Sequence, residues 1–531
     1  MAMGLEINLD SIRALEKQIE EHERAIIRLK RTRNSLLNVS TLLPPEVLGN
    51  IFGWNIIPCE GFGGLPKGSY NFLLVCHHWF EVASRTPGLW RFWGTTIGQW
   101  TRRYARCKTG PLDLVLEGCT GLKLDDELRD ALQDRAARDT IRRIHLRGFH
   151  EVELLNSVIS IITEGKGTRS NSVESFIVQS SGVDTIVDVS SFFSRYHLPK
   201  LQRLFLNGCR ISSWDLVESR TTALTTLELG SDTLSPVPTL SQLLSILSSN
   251  PLLQDLALSY TPPPHVANGE RSSSVPLPHL KKLRLLSDFH HAFSLLNQLE
   301  LPDRMDSIKL SLYECPPSDL LQTLGPYLGD RVRRRGRFPG GGLVLWTNHS
   351  PYNFRICTGD AHRRDDSAGV AQFMTVDVDI SETLGEEEAE KLGFELTTYI
   401  PRDEVGDLRT TLPILRSEEL CVEMCNLKDL SLVGVDLSTL FTEPEGHGPH
   451  ASENFLRGLD SIRIIRPVLS GGDWSPVTNF LSHRAAIGNR ISSLRFNDCP
   501  WMDDDEVKRI ECVVEDFAYE GSWYEDSDDD Y

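Results

Sequence analysis

The chain has 531 residues, 40% hydrophobic and 24% charged, a mixture apolar enough to require a buried core and too long for one ordinary domain. Its 55 basic side chains against 74 acidic ones leave a net charge of −19, which repels a phosphate backbone and excludes a general nucleic-acid binder. No stretch approaches the roughly 18 uninterrupted apolar residues of a membrane span, no apolar leader opens the chain, and 11 scattered cysteines give no disulfide framework, so a soluble protein of the cytosol or nucleus is expected.

In residues 1–39, Leu5, Ile12, Ile19 and Ile26 recur every seven positions, and Leu15, Leu29 and Leu36 lie three residues on from that series. These are the a and d positions of a coiled-coil-like helix, with His22 at a d position and Arg13, Glu16, Lys17, Glu20 and Arg24 between them. A homodimer through this seam and a single helix packed back on the rest of the chain are both open. Residues 40–100 predict a small all-α module. Pro44 and Pro45 suit a first helical turn, Glu46 suits the positive end of the helix dipole, and a second apolar stripe runs from Phe72 to Val82 before Pro87 and Gly88 close it. Leu89, Trp90, Phe92 and Trp93 follow. Two or three short helices enclose too little volume for so many large side chains, so part of this apolar surface is expected to face a partner.

Leu43-Pro44-x-Glu46-x-Leu48-x-x-Ile51-Phe52, then Val75-Cys76-x-x-Trp79, then Leu89-Trp90, resembles the F-box over about fifty residues. The connection 53–70 is longer and richer in glycine than the usual F-box linker. The heptad helix before it and the repeats after it are together similar to the large F-box group of mushroom-forming fungi. The resemblance implies that Leu43, Pro44, Leu48, Ile51, Val75 and Trp79 bury against the Skp-type adaptor of a cullin-based ubiquitin ligase, and that the remainder selects a protein substrate.

From about residue 111 a pattern Φ-x-x-Φ-x-Φ, with Φ apolar, recurs: Ile141-Ile144-Leu146, Val173-Phe176-Val178, Leu201-Leu204-Leu206, Leu224-Leu227-Leu229, Leu253-Leu256-Leu258, Leu280-Leu283-Leu285 and Met305-Ile308-Leu310. Later copies start at Phe373, Leu427, Leu459 and Ile491, and the gap from 373 to 427 is long enough for one more that is too degenerate to recognise. Helical patterns alternate with them, at 239–249, 292–299 and 317–328. A strand-helix unit with this spacing predicts an irregular leucine-rich-repeat solenoid over 101–500, a curved parallel sheet backed by helices, and so an α/β fold. Cys119, Cys209 and Cys499, each three residues after a strand-end apolar residue, occupy the position where a small buried side chain packs under the turn. Segments 261–278, 331–342, with five arginines, and 442–452 read as loops, and 501–531 reads as an acidic tail.

Residues flanking the middle Φ point away from the core by the alternation of a strand. Arg143, Arg203, Lys282, Arg284, Lys309, Arg463 and Arg495 stand there against Glu228, Asp255, Asp377 and Asp429, reversing the sign of the whole chain. With Phe205, the basic members form the candidate substrate-binding set, expected to prefer an acidic or phosphorylated protein segment. Solvation of an exposed sheet, or attraction of the chain's own acidic tail, accounts for the same charges and stays open.

Nothing in the sequence supplies catalysis. It holds no phosphate loop, no Gly-x-Ser-x-Gly and no His-Glu-x-x-His. Gly61-Phe62-Gly63-Gly64 and Gly340-Gly341-Gly342 lack the flanking elements of a phosphate cradle and read as connections, Cys421 with Cys425 lacks a second ligand pair, and His77-His78 sits on a helix without further ligands. The expectation is a non-catalytic adaptor with no metal, cofactor, nucleic acid or membrane partner.

Overall fold

The computed structural model describes residues 9–37, 43–56, 70–94, 110–117, 130, 140–149, 152–163, 172–180, 186–230, 237–259, 274–335, 342–347, 353–359, 372–380, 386–400, 402–410, 423–437, 456–469, 473–499 and 502–521. They fall into two compact units, Met1–Leu224 with Asp232–Pro236, and Thr225–Ser231 with Val237–Tyr531. The boundary cuts through the copy that starts at Leu224, where the sequence suggests one uninterrupted array.

The first unit opens with helix α1 (Leu9–Leu37) and a helical module built from α2 (Pro45–Asn55), the 3-10 turn Asn71–Leu74, α3 (His77–Arg85) and the 3-10 turn Pro87–Trp90. Pro44 precedes α2 with φ −55° and ψ 142°, and its carbonyl accepts from the N–H groups of Val47 and Leu48. Leu48, Phe52 and Ile56, four residues apart, form the inner stripe of α2 and are buried. The Phe52 ring stacks on Phe72 with centroids 4.5 Å apart and meets Trp79 at 5.0 Å. Trp90 lies over Tyr70 and donates its indole N–H to the Ala83 carbonyl at 2.8 Å.

The chain then turns directly into sheet. Strand β1 (Phe92–Gly94) pairs in parallel with β2 (Leu112–Glu117), Phe92 opposite Asp113, and β3 (Ile141–Phe149), β4 (Ser175–Ser180) and β6 (Arg203–Asn207) follow in parallel register. A second small ladder, β5 (Val187–Asp188) with β7 (Cys209–Arg210), carries Cys209 under the turn. Helices α4 (Val152–Thr163), α5 (Ser190–Arg195) and α6 (Asp215–Arg220) alternate with these strands.

The second unit carries β8 (Thr226–Gly230), β9 (Asp255–Ser259), β11 (Lys282–Asp288) and β13 (Ser307–Cys315) in parallel, and β10 (Val275–Pro276) pairs with β12 (Leu299–Glu300). Between β13 and the last repeats the sheet departs from a regular solenoid. Strands β14 (Gly342–Thr347), β15 (Asn353–Gly359) and β16 (Gln372–Ile380) form an antiparallel meander, with β16 parallel to β13 and β14 parallel to β17 (Asp407–Thr410). Strands β18 (Asp429–Val433), β19 (Ser461–Ile465), β20 (Ser493–Cys499) and β21 (Asp516–Gly521) complete the parallel run.

The Φ-x-x-Φ spacing has a backbone cause. At the starts of β6, β9, β11, β13, β18, β19 and β20, the N–H groups of both x residues donate to one carbonyl of the preceding copy. Gln202 and Arg203 share Glu174 O, Lys281 and Lys282 share Gln254 O, Lys428 and Asp429 share Gly406 O, and Ser492 and Ser493 share Asp460 O, all at 2.7–3.1 Å. The doubled acceptor adds one residue before strict alternation begins, so Leu204, Leu227, Leu256, Leu283, Leu430 and Leu494 all turn inward and are buried. It also identifies the degenerate copy as Val405-Leu408-Thr410, with buried Thr410 where the others have an apolar residue. A last copy, Val514-Phe517-Tyr519, lies beyond the expected end of the array.

The acidic segment is therefore folded at least as far as Gly521: Asp503 caps the helix Asp504–Val513 by accepting from Glu506 N–H, and the strand after it pairs with β20. The arginine-rich segment is corrected as well. Its first residues continue the helical stretch that runs from Pro317 through a π turn, Leu320–Leu324, into Gly325–Arg335, and Arg331 is buried rather than looped out. Glycine is required at Gly325 and Gly329, because a Cβ there would come within 2.5 Å of the Tyr399 ring and 2.6 Å of its carbonyl oxygen. The expected helix at 239–249 is Leu240–Ser248, opened by a capping box of Thr239 with Gln242. The one expected at 292–299 is Phe289–Leu296, capped by Asp288.

Candidate protein-interaction surfaces

Helix α2 has apolar residues on two sides. Opposite its buried stripe, Val47, Ile51 and Trp54, spaced i, i+4, i+7, form a second one that is exposed, with Trp54 at 78%. Leu74 at 85%, Val75 and Phe80 add exposed apolar surface around the start of α3. Of the residues expected to meet an adaptor, Pro44, Ile51 and Val75 are exposed, while Leu43 and Trp79 are half-buried. Leu48 is corrected: it faces the module's own core and supports the outer stripe from beneath. Val47, Trp54, Leu74 and Phe80 stand outside the expected adaptor-binding set, although the same helical period that selects Ile51 selects Val47 and Trp54.

Helix α1 presents Ile12, Leu15, Ile19, Ile26, Leu29 and Leu36 exposed along its length, whereas Leu5 lies outside the described residues. Packing of this seam back on the chain, one of the two open outcomes, is not what the structure shows.

On the sheets, Arg203, Lys282, Arg284, Lys309 and Arg495 are exposed and Arg143, Phe205 and Arg463 half-buried, all on the side opposite the core. In the second unit these charges are largely answered within the sheet. Arg284 stands 3.6 Å from Glu228 and Arg495 3.8 Å from Asp516, and the register line Arg409, Ser431, Arg463, Arg495 runs beside Asp407, Asp429 and Asp516. Arg409 belongs to the set and was hidden in the degenerate copy. Thr375 and Asp377 fall in β16, of whose side chains nothing is described.

In the first unit, Asp113 is fully buried where β1 meets β2. Arg91 and Arg142 each approach it at 3.5 Å and Arg143 at 3.9 Å. Burial pushes its carboxyl above the usual range, against the pull of the three guanidiniums. Arg142 also lies 3.7 Å from Glu174, so three guanidiniums meet two carboxylates. His145 reports the same field: burial first, then Arg147, Arg143 and Arg203, bring its pKa down to about 3, and its Nε2 lies 2.9 Å from Ser175 Oγ. Neutral in the native state and protonated when unfolded below pH ~6.5, His145 contributes stability that is lost as pH falls. The unfolding free energy of wild type should therefore drop relative to His145→Gln on acidification from pH 7 to 4.5, with a slope approaching about 1.4 kcal/mol per pH unit. Urea titrations of both proteins across that range check it, and parallel curves would refute it.

Cys209 and Cys499 sit where the repeat pattern places them, their thiols 3.8 Å from the carbonyls of Val178 and Ile464 on the preceding strand. Burial pushes both pKa values up to about 12, so they are packing groups rather than nucleophiles. Cys119 lies outside the described residues. Among the described residues no cluster of three or more His, Cys, Asp or Glu could hold a metal ion, and no helix is long and apolar enough to cross a membrane.

No family model and no curated protein matches the chain. Among solved structures it is similar to an internalin from Listeria monocytogenes, at 10% identity and a TM-score of 0.22, over 69% of this chain and 94% of that one. It is also similar to a leucine-rich-repeat protein from Leptospira interrogans, at 13% identity and a TM-score of 0.32, over 80% of this chain and 93% of that one. The leucine-rich-repeat character of the chain is carried by its own strands and shared carbonyls.

Proposed function

We propose that the chain is a non-catalytic substrate-recognition adaptor of a Skp-cullin-F-box type ubiquitin ligase, acting in the cytosol or nucleus. The observation that carries this reading is the second apolar stripe of α2. A helix whose inner side already fills its core still exposes Val47, Ile51 and Trp54, and such a surface is stabilised by a partner. The F-box resemblance of the same module names that partner as the Skp-type adaptor, and through it a cullin. The repeats hold a substrate protein, and catalysis is by proximity: a substrate lysine held near the ubiquitin-loaded enzyme reacts at a raised effective concentration with no chemistry in this chain.

Ile51→Glu with Trp54→Glu should abolish co-purification of the adaptor and cullin from the native cell while leaving stability within about 1 kcal/mol of wild type, because both side chains stand on the exposed side of α2. Undiminished recovery of the adaptor would end the ligase reading. Recovery of adaptor without cullin from wild type would favour an F-box protein acting outside ubiquitination. A second reading, a leucine-rich-repeat scaffold that pairs through α1, is favoured by the exposed heptad seam; light scattering on the same material counts the copies.

A further inference from the structure

The charges of α1 fall in two blocks. Between Ile12 and Glu23 it carries Glu16, Glu20, Glu21 and Glu23 against Arg13 and Lys17, and from there to Leu37 it carries Arg24, Arg28, Lys30, Arg31 and Arg33 with no acidic residue. Within a single helix this order is a cost, because Glu16 with Glu20 and Arg24 with Arg28 are like charges four residues apart. The helix dipole favours acid before base only in the first and last turns, and Glu21, Glu23 and Arg28 lie well inside them. The exposed seam along the same helix has two polar members, His22 at d and Arg33 at a. In-register parallel pairing of two copies would set Arg33 against Arg33, His22 against His22 and each block against itself. Antiparallel pairing with Ile12 of one copy level with Leu36 of the other reverses these contacts. Ile19 then meets Leu29, Ile26 meets His22, Arg33 meets Leu15, and the glutamate block lies along the arginine block.

We propose that α1 joins two copies of this chain as an antiparallel coiled coil, oriented by the complementarity of its acidic and basic halves. A partner helix of one charge would match only half of α1, whereas the same helix reversed matches both. Arg33 lays its stem along Leu15 of the second copy and brings its guanidinium to Glu16, and Lys30 approaches the same carboxylate. Glu23 lies beside Glu23 at the centre, a single like-charge contact where parallel pairing sets whole blocks together. The inference rests on the reading that pairs copies through α1, and adds the direction. Direction fixes what the pairing does: the two Leu37 residues stand at opposite ends of a rod about 40 Å long, so the helical modules leave it from opposite ends and one assembly offers two separated docking surfaces.

The test uses the full chain. Light scattering should give a dimer for wild type and a monomer for Ile19→Glu with Ile26→Glu, two changes at exposed positions that leave the fold intact. Raising salt from about 0.05 M to about 0.5 M should weaken the wild-type dimer several-fold, because opposite blocks attract, whereas a parallel dimer would tighten as repulsion is screened. Direction is read from a chain carrying Ile19→Cys with Leu29→Cys, treated with a short bismaleimide and digested from the band of dimer size. Against wild type, which subtracts the native cysteines, new links should join position 19 to position 29; links of 19 to 19 and 29 to 29 mark a parallel seam. A monomeric or larger wild-type assembly, or a dimer that survives the glutamate changes, overturns pairing through α1 and this inference together. A dimer that the glutamates break, but that salt tightens or leaves unchanged or that links like positions, keeps the pairing and overturns the direction proposed here.

Discussion

Phe52→Ala should cost about 3–5 kcal/mol and open the helical module while the sheet beside it stays closed. The Phe52 side chain is 0% exposed, and its contacts are the two that join the helices: the stacked Phe72 ring and the Trp79 ring on α3. A module of a few short helices has little else to lose, so removing one ring takes most of its stability. Amide hydrogen exchange should show lost protection across Pro45–Arg85 with the amides of β3, β4 and β6 still protected. Loss of adaptor binding with loss of protection then marks an unfolded module, whereas loss of binding in the Ile51 and Trp54 variant, with protection intact, marks the surface itself. Retained protection in Phe52→Ala would mean that the module is held by something other than this ring cluster.

The second large effect concerns Arg484, 2% exposed near the end of the helix Ser475–Ala486. Its guanidinium donates to the carbonyls of Leu456 at 2.9 Å, Asn489 at 3.1 Å and Leu459 at 3.3 Å, tying the helix end to the turns before β19 and β20. Burial lowers its pKa to about 10. Arg484→Met preserves the apolar stem and roughly its volume, and leaves three carbonyls to find other donors, a cost of about 2–5 kcal/mol. Denaturant unfolding reads it; a loss below about 1 kcal/mol would show that water replaces the guanidinium. Arg331, reaching Leu301 O at 3.3 Å, and Arg490, reaching Val513 O at 2.8 Å, serve the same purpose at other turns.

The repeats were legible because their spacing has a local cause: a carbonyl accepting two consecutive N–H groups fixes where alternation starts, and leucines at the fixed offsets announce it. Val405-Leu408-Thr410 escaped because threonine takes the third inward position, and Val514-Phe517-Tyr519 because it sits in a run of acidic residues that suggests a solvated tail. In the meander of β14 to β16, an apolar run such as Leu343-Val344-Leu345-Trp346 does not reveal strand direction. At the helical module, composition announced that some apolar surface had to face outward. Only the packing of Leu48 beneath, with Ile51 and Trp54 above, decides which. Arginine-rich positions were visible in the sequence, but which carboxylates answer them, Asp113 for Arg143 and Asp516 for Arg495, depends on which strands are neighbours.

The pairing of β1 with β2 sets how the helical module is mounted on the first repeats. Asp113 N–H donates to Arg91 O at 2.9 Å, Phe92 lies opposite Asp113, and the Arg91 side chain returns to the buried Asp113 carboxylate. The module is thus joined by sheet hydrogen bonds and a buried ion pair rather than hung on a tether, and the length of chain between 94 and 112 does not determine its orientation. On the adaptor reading proposed above, that joint acts as a gauge block: lengthening or shortening the connecting segment should leave the spacing between the outer stripe of α2 and the outward face of β3 and β4 unchanged, while breaking the Asp113 joint would let it drift.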